Sequence, residues 1–212
     1  MKDFINDLIR RYSQKGSLID TNILFLLLVG SVNKERMTKF HRTQQFIPED
    51  YELLLKSMSE VKNLVTTPNI LTEINSLANQ FGKPERSECF AIFAGFVQNV
   101  HINEYYIKTQ EAVSADKLIK FGLTHSVILT LAQGNYLVLT GELKLENYLH
   151  NVEVDVINFN NIRVLNWEIS ISMKILLQNN CRGYCPLPGL KQKLRVKRSI
   201  MGFRCSFHVK RS

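Results

Sequence analysis

Three acidic residues stand where a carboxylate could take part in chemistry: Asp20 in "LIDTN", Glu73 in "PNILTEINSLA" and Glu142 in "LTGELK". Asp20 and Glu142 follow short apolar runs that are typical of buried strands, and Glu73 lies in the helix predicted after another such run. Carboxylates that converge repel one another unless a cation lies between them, and hard divalent ions prefer oxygen ligands. We therefore expect a Mg²⁺ or Mn²⁺ site, which could orient a water and offset charge on a phosphodiester.

A histidine lies in the first turn of the apolar helix predicted in "FGLTHSVILTLA". This helix is expected to open at Thr124, which would serve as its cap, so that His125 follows directly. Helix N-termini favour negative charge, whereas a neutral imidazole supplies none and suits softer transition metals. His125 is therefore an unusual residue for this position, and it could contact Mn²⁺ or a phosphate.

The elements that must position these side chains alternate between strand and helix. Strands are predicted in "SLID", "LVTT", "YLVLT" and "VEVDVINF", and helical periodicity separates them; residues 101–114 are less regular. This alternation predicts an α/β fold with a parallel sheet sandwiched by helices on both faces (α/β/α). Ligands bind beyond the carboxyl ends of the strands in such a sheet, which is where Asp20 and Glu142 are expected.

Charge divides the chain into a neutral body and a basic end. The net charge is +8, yet residues 181–212 hold nine Lys and Arg and no acid, which leaves 18 basic and 19 acidic residues in 1–180. We predict a domain over residues 1–167 and a basic, poorly ordered tail over 168–212. The apolar run Ile23–Val29 is too short to cross a bilayer and no signal peptide is visible, so we expect a cytoplasmic protein without a membrane partner.

Four blocks occur in the order found in the PIN domain family, which the chain resembles over residues 14–165: "LIDTNILFLLLVG", "TTPNILTEINSLA", "FGLTHSVILTLA" and "YLVLTGELKLENYL". PIN domains are Mg²⁺- or Mn²⁺-dependent ribonucleases, and they include toxins of bacterial toxin–antitoxin pairs. The resemblance implies the same sandwiched parallel sheet as the alternation of elements. It also implies RNA as substrate, an antitoxin-like protein partner and a homodimer.

The resemblance assigns roles to individual positions. Asp20 matches the first metal-binding aspartate, Asn22 the supporting polar residue of the same turn, and Glu73 the glutamate after the second strand. His125 occupies the position where the family has a third acid after Gly-Leu-Thr. In the last block the family has Thr-x-Asp or Thr-Asp-Asp, and this chain has Thr140 followed by glycine and a longer carboxylate, Glu142.

These departures leave several functions open. The first is a PIN-like endoribonuclease, weakened by lost acids, with Asp20, Glu73 and Glu142 as catalytic and metal-binding residues. His125 would be a degenerate position of that metal site, and Thr140 and Asn22 would support it. The alternative is a catalytically inactive module that binds RNA or a protein. A third interpretation is a decayed coding sequence whose tail is out of frame.

Overall fold

Five short strands form one parallel sheet at the centre of the fold. The computed structural model describes residues 2–99, 102–133 and 135–167. The strands lie in the order β3-β2-β1-β4-β5, and every neighbouring pair is parallel. Their bounds are β1 Ser17–Ile19, β2 Leu64–Thr66, β3 Ile102–Glu104, β4 Leu137–Thr140 and β5 Val156–Asn158.

Helices connect the strands, as a parallel sheet requires, because after each strand the chain must return to the edge of the sheet at which the next strand begins. Their bounds are α1 Lys2–Arg11, α2 Thr21–Asn33, α3 Pro48–Ser59, α4 Pro68–Ala78, α5 Glu85–Asn99, α6 Thr109–Ala112, α7 Ala115–Ala132, α8 Leu143–Asn151 and α9, residues 159–167. A 3₁₀ helix, Lys34–Lys39, extends α2.

Local signals set several helix starts. Pro68 occupies the first turn of α4, and the hydroxyl of Thr67 accepts a hydrogen bond from the Ile70 amide. Asp50, in the first turn of α3, accepts a hydrogen bond from the Ile47 amide. These caps use only nearby residues, and for that reason the sequence predicts the starts of these helices well.

Helices cover both faces of the sheet. Successive residues of a strand point to opposite faces. Val138 of β4 belongs to the larger apolar cluster, which includes α2, whereas Leu137 and Leu139 pack with Leu8 of α1 on the other face. The α/β/α fold predicted from the alternation of elements is therefore confirmed.

The structure adds one strand and changes one helix. β3 lies within residues 101–114, where no element was expected, and pairs only with β2; its partly exposed residues carry no clear apolar alternation. Helix α7 begins at Ala115 and is interrupted at Gly122, whose φ of 76° is not helical. The expected cap at Thr124 is wrong, because the second segment of α7 starts directly after Gly122 and Thr124 already lies within it.

Two further predictions concern the tail and the membrane. The basic tail, predicted for 168–212, lies outside them. Among the helices of the described residues, none is both long and apolar enough to cross a membrane.

Gly30 of α2 gives a test of the packing between α2 and α3. A Cβ built there would overlap the Cγ, Cδ2 and Cε2 atoms of the Tyr51 ring. Alanine is favoured over glycine within a helix by about 1 kcal/mol, but overpacking costs about 1–3 kcal/mol. We expect Gly30→Ala to lower the free energy of unfolding in urea by about 1–2 kcal/mol.

Gly82→Ala is the matched control, because a Cβ there has no neighbour within 4 Å among the described residues. It should leave the free energy of unfolding near that of the unchanged protein. Equal stability of Gly30→Ala and Gly82→Ala would contradict the close contact of α2 with α3.

Candidate metal centre

The order of the strands opens a crevice between β1 and β4. The chain proceeds from β1 to β2 and β3 on one side, and then returns to place β4 on the other side of β1. Connections that leave neighbouring strands in opposite directions separate at the carboxyl ends, and ligands bind there. Asp20 follows β1 directly, and Glu142 lies two residues after β4, so both predicted acids reach this crevice.

Asp20 is fully buried, and its two carboxylate oxygens differ. One, Oδ2, accepts a hydrogen bond of 2.8 Å from the hydroxyl of Thr140. That hydroxyl also accepts a bond of 3.0 Å from the Glu142 amide, which directs its single proton towards Asp20. The other oxygen, Oδ1, has no hydrogen-bond partner among the described residues.

Asp20 also leaves its own helix uncapped. It occupies the N-cap position of α2, where an aspartate usually accepts a bond from the following backbone amides, but its side chain makes no such bond. The carboxylate instead contacts Thr140 and faces His125.

His125 and Glu142 face the unpartnered oxygen of Asp20. Nε2 of His125 lies 3.3 Å from Asp20 Oδ1 and 3.8 Å from Glu142 Oε2. One atom from each of the three residues lies within 4.8 Å of the others, so the group could hold a metal ion. Ligand atoms bound at about 2.1 Å around one ion stand roughly 3–3.5 Å apart. The separation of His125 from Asp20 lies in this range, and the separation of His125 from Glu142 is slightly longer.

Asn22 and Asn160 hold the loop that carries Glu142. The side-chain amide of Asn22 donates to Glu142 Oε1, which leaves Oε2 on the side of His125. The side-chain amide of Asn160 donates to the carbonyl of Gly141, at 2.8 Å. The predicted supporting residues thus divide their work: Thr140 contacts Asp20, while Asn22 contacts Glu142.

Glu73 lies beside the cluster and not within it. Within the part of the chain that the structure describes, the group that could hold an ion consists of Asp20, His125 and Glu142. Glu73 accepts a hydrogen bond of 3.0 Å from the Thr21 hydroxyl, and its charge acts on His125. Its charge thus reaches the cluster, although its carboxylate is not one of the three groups that lie together.

Opposing effects act on the pKa of His125. Burial by itself lowers the pKa, because it disfavours the charged imidazolium. The adjacent carboxylate of Asp20, followed by the charges of Glu142 and Glu73, outweighs burial and raises the pKa above its ordinary value. Without an ion, a protonated His125 thus offsets part of the negative charge of the cluster.

Sequence reasoning missed Thr21 and Asn160. Thr21 stands next to Asp20 in "LIDTN", and this proximity was the available signal. Asn160 belongs to the asparagine-rich stretch "NFNN", which begins at the last residue of β5. It accepts a hydrogen bond from Arg163. Arg163 in turn pairs with the buried Asp50 of α3 at 2.8 Å. That stretch had no expected role, because its partner Gly141 lies far away along the chain.

Comparison of the chain with protein-family models finds no match, and no curated protein matches it either. The similarity to PIN domains therefore stays a prediction from the order of the sequence motifs.

The raised pKa of His125 predicts a pH dependence of stability in the metal-free protein. The folded state binds the proton more tightly than the unfolded chain, whose histidine pKa is near 6.5. This contribution is complete below that value and is lost as pH rises through the folded pKa. We expect the free energy of unfolding of the unchanged protein, minus that of His125→Gln, to fall as pH rises above about 6.5 in the presence of a chelator.

The matched control is His41→Gln, since His41 lies on an exposed turn. It removes one imidazole outside the cluster, and the pH dependence of His125→Gln is measured against it. A His125→Gln difference that is constant or grows with pH would contradict the pairing of His125 with Asp20.

Proposed function

We propose that the chain is a PIN-like endoribonuclease that depends on a divalent ion, Mg²⁺ or Mn²⁺, held by Asp20 and Glu142 with His125 beside them. The observation that carries the proposal is the buried oxygen Oδ1 of Asp20, which makes no hydrogen bond among the described residues and has the imidazole of His125 at 3.3 Å and Glu142 as its neighbours at the carboxyl ends of β1 and β4. A buried carboxylate with a single imidazole beside its second oxygen is costly, and a divalent cation would balance its charge more fully.

The residues of the site would have distinct roles. A divalent ion bound there supplies Lewis acidity towards a phosphodiester and lowers the pKa of a bound water. Asp20 is held rigidly by Thr140 and anchors the site, whereas the Glu142 side chain keeps 34% of its surface exposed and forms the open side towards substrate. Glu73, held by Thr21, adds negative charge behind the cluster and could orient a water.

Two lysines that lie within five residues of His125 or Glu142 in the sequence support RNA as the substrate. Lys144 follows Glu142 by two residues, and Lys120 precedes His125 by five. Nζ of each lies 5.2 Å from the centre of the Phe121 ring, and Nζ of Lys144 donates to the carbonyl of Lys120. Basic side chains next to a metal site neutralise the phosphates that flank the cleaved bond.

An Asp20→Asn variant tests the proposal. It removes the charge of the central ligand and keeps the size of the side chain. We expect the unchanged protein to cleave RNA with Mn²⁺ or Mg²⁺ and to gain thermal stability from the ion in proportion to RT ln(1 + [L]/Kd), and Asp20→Asn to lose both effects. RNA cleavage on a gel and thermal unfolding with and without ion are the measurements.

Asp116→Asn serves as the control, because Asp116 is exposed on α7 and is not part of the cluster. It should cleave RNA and bind the ion as the unchanged protein does. Cleavage that survives in Asp20→Asn or persists in a chelator would refute the proposed mechanism.

The alternative function, an inactive PIN-like module that binds RNA or a protein, also has specific support. His125 replaces a carboxylate in the cluster, and its proton can offset the negative charge in place of an ion. Exposed apolar side chains on α7 and α8, Ile119 at 86% and Leu143 at 65%, are of the kind that an antitoxin-like partner or a second copy of the chain would cover.

Restoring carboxylates distinguishes the two functions. In His125→Asp combined with Gly141→Asp, the new Cβ at position 141 meets only the end of the Ile23 side chain at 3.3 Å, so the substitution fits after a small shift. If the module is inactive, the unchanged protein cleaves nothing, and the double variant gains Mn²⁺ binding through the added oxygens. Thermal shift with Mn²⁺ measures this gain.

His41→Asp combined with Gly82→Asp is the matched control, since it adds the same charges at exposed positions outside the cluster. It should show no gain of Mn²⁺ binding. If the His125 and Gly141 variant binds no divalent ion, the cluster does not have the geometry of a metal site.

A further inference from the structure

We propose that Asp20, His125 and Glu142 form a centre of one nitrogen and two oxygen ligands that selects transition ions over Mg²⁺, in the order Zn²⁺, then Co²⁺, then Mn²⁺, with Mg²⁺ weakest. This inference rests on the metal centre of the proposed function, but it does not depend on RNA cleavage. It gives His125 the role of a ligand, where the sequence left open whether a ligand had been lost.

Each of the three side chains presents a single atom. Thr140 occupies one oxygen of Asp20, and Asn22 occupies one oxygen of Glu142. The second oxygens and Nε2 of His125 remain, and these are the atoms that lie close together. Three protein ligands with one position left for water or substrate is the arrangement typical of catalytic zinc sites.

The side chains are held in place before any ion binds. Asp20 is fully buried at the end of the central strand, and its free oxygen has no donor among the described residues. His125 is only 17% exposed and lies in the first turn after the break at Gly122. The Ser126 hydroxyl closes that turn by donating to the Gly122 carbonyl at 2.7 Å. Such preorganisation lowers the entropy lost when an ion binds.

The nitrogen ligand decides the selectivity. Mg²⁺ prefers six oxygen ligands and gives up its water reluctantly, so an imidazole contributes little to its binding. An imidazole also leaves the cluster one negative charge short of a set of three carboxylates, which weakens attraction for any hard ion. Zn²⁺ and Co²⁺ bind imidazole well, and affinities for such sites rise from Mn²⁺ through Co²⁺ and usually on to Zn²⁺.

Metal titrations of the full chain, stripped of ions, test the selectivity. We expect Kd values that rise from Zn²⁺ to Mn²⁺, with Mg²⁺ weaker than Mn²⁺ by about tenfold or more. In His125→Asp the preference should shift, with Mg²⁺ binding tighter and Zn²⁺ weaker than in the unchanged protein. His41→Asp, which adds the same carboxylate at an exposed position, should leave all four affinities unchanged.

The sequence after residue 180 contains three cysteines and His208, which can bind zinc by themselves. The zinc bound at the cluster is therefore the zinc bound by the unchanged protein minus the zinc bound by Asp20→Asn.

Pulsed electron paramagnetic resonance of bound Mn²⁺ supplies a readout that is independent of affinity. Modulation from a directly coordinated imidazole ¹⁴N should be present in the unchanged protein and in His41→Asp, and absent in His125→Asp. Equal affinities for Mg²⁺ and Mn²⁺ without this modulation would overturn the inference and leave the metal centre of the proposed function intact. Failure of every ion to bind, or identical binding in Asp20→Asn, would overturn both.

Discussion

A carboxylate without access to water dominates the centre of this fold. Asp20 ends the central strand with none of its surface exposed, and an isolated buried charge is among the most costly features that a folded protein can contain. The contacts around it each reduce that cost: the Thr140 hydroxyl donates to one oxygen, and His125 stands beside the other. The site is therefore the set of groups that makes burial of Asp20 tolerable.

The hydrogen bond between Thr140 and Asp20 also joins two strands at their carboxyl ends. Because β1 and β4 are adjacent, Asp20, directly after β1, meets Thr140, the last residue of β4, although the two are 120 positions apart in the chain. The connections diverge between these two strands, and ligands of parallel sheets bind at such a point. A sheet in which β1 and β4 were not neighbours would have separated these residues.

A second network of contacts positions the loop that carries Glu142. Arg163 on α9 pairs with the buried Asp50 of α3 and donates to Asn160, which in turn holds the carbonyl of Gly141. This chain of contacts connects α3 to the loop that carries Glu142. It fixes the backbone of that loop, while Asn22 fixes one oxygen of the Glu142 side chain. A loop held at both levels can present one carboxylate oxygen in a constant position.

The sequence by itself determined the class of fold, and it predicted the edge of the sheet at which Asp20 and Glu142 lie, because both follow from local patterns. Apolar runs, helix periodicity and caps such as Thr67 depend on residues a few positions apart, and alternating elements impose a parallel sheet with its ligand edge at the carboxyl ends. The sequence did not reveal β3, since an edge strand with exposed residues has no apolar alternation. It did predict a new helix start in this region, but at Thr124, two residues after the interruption that the positive φ of Gly122 defines.

Only the tertiary structure decided which atoms meet. Asp20 and Glu142 were predicted at one edge, but the same pattern also included Glu73, which the structure holds beside the cluster through Thr21. The direction of each carboxylate depends on donors that are distant in the chain, namely Thr140 for Asp20 and Asn22 for Glu142. A side chain's type and position can be read from a sequence. Which of its carboxylate oxygens is left to face a ligand depends on the packing of strands and helices around it.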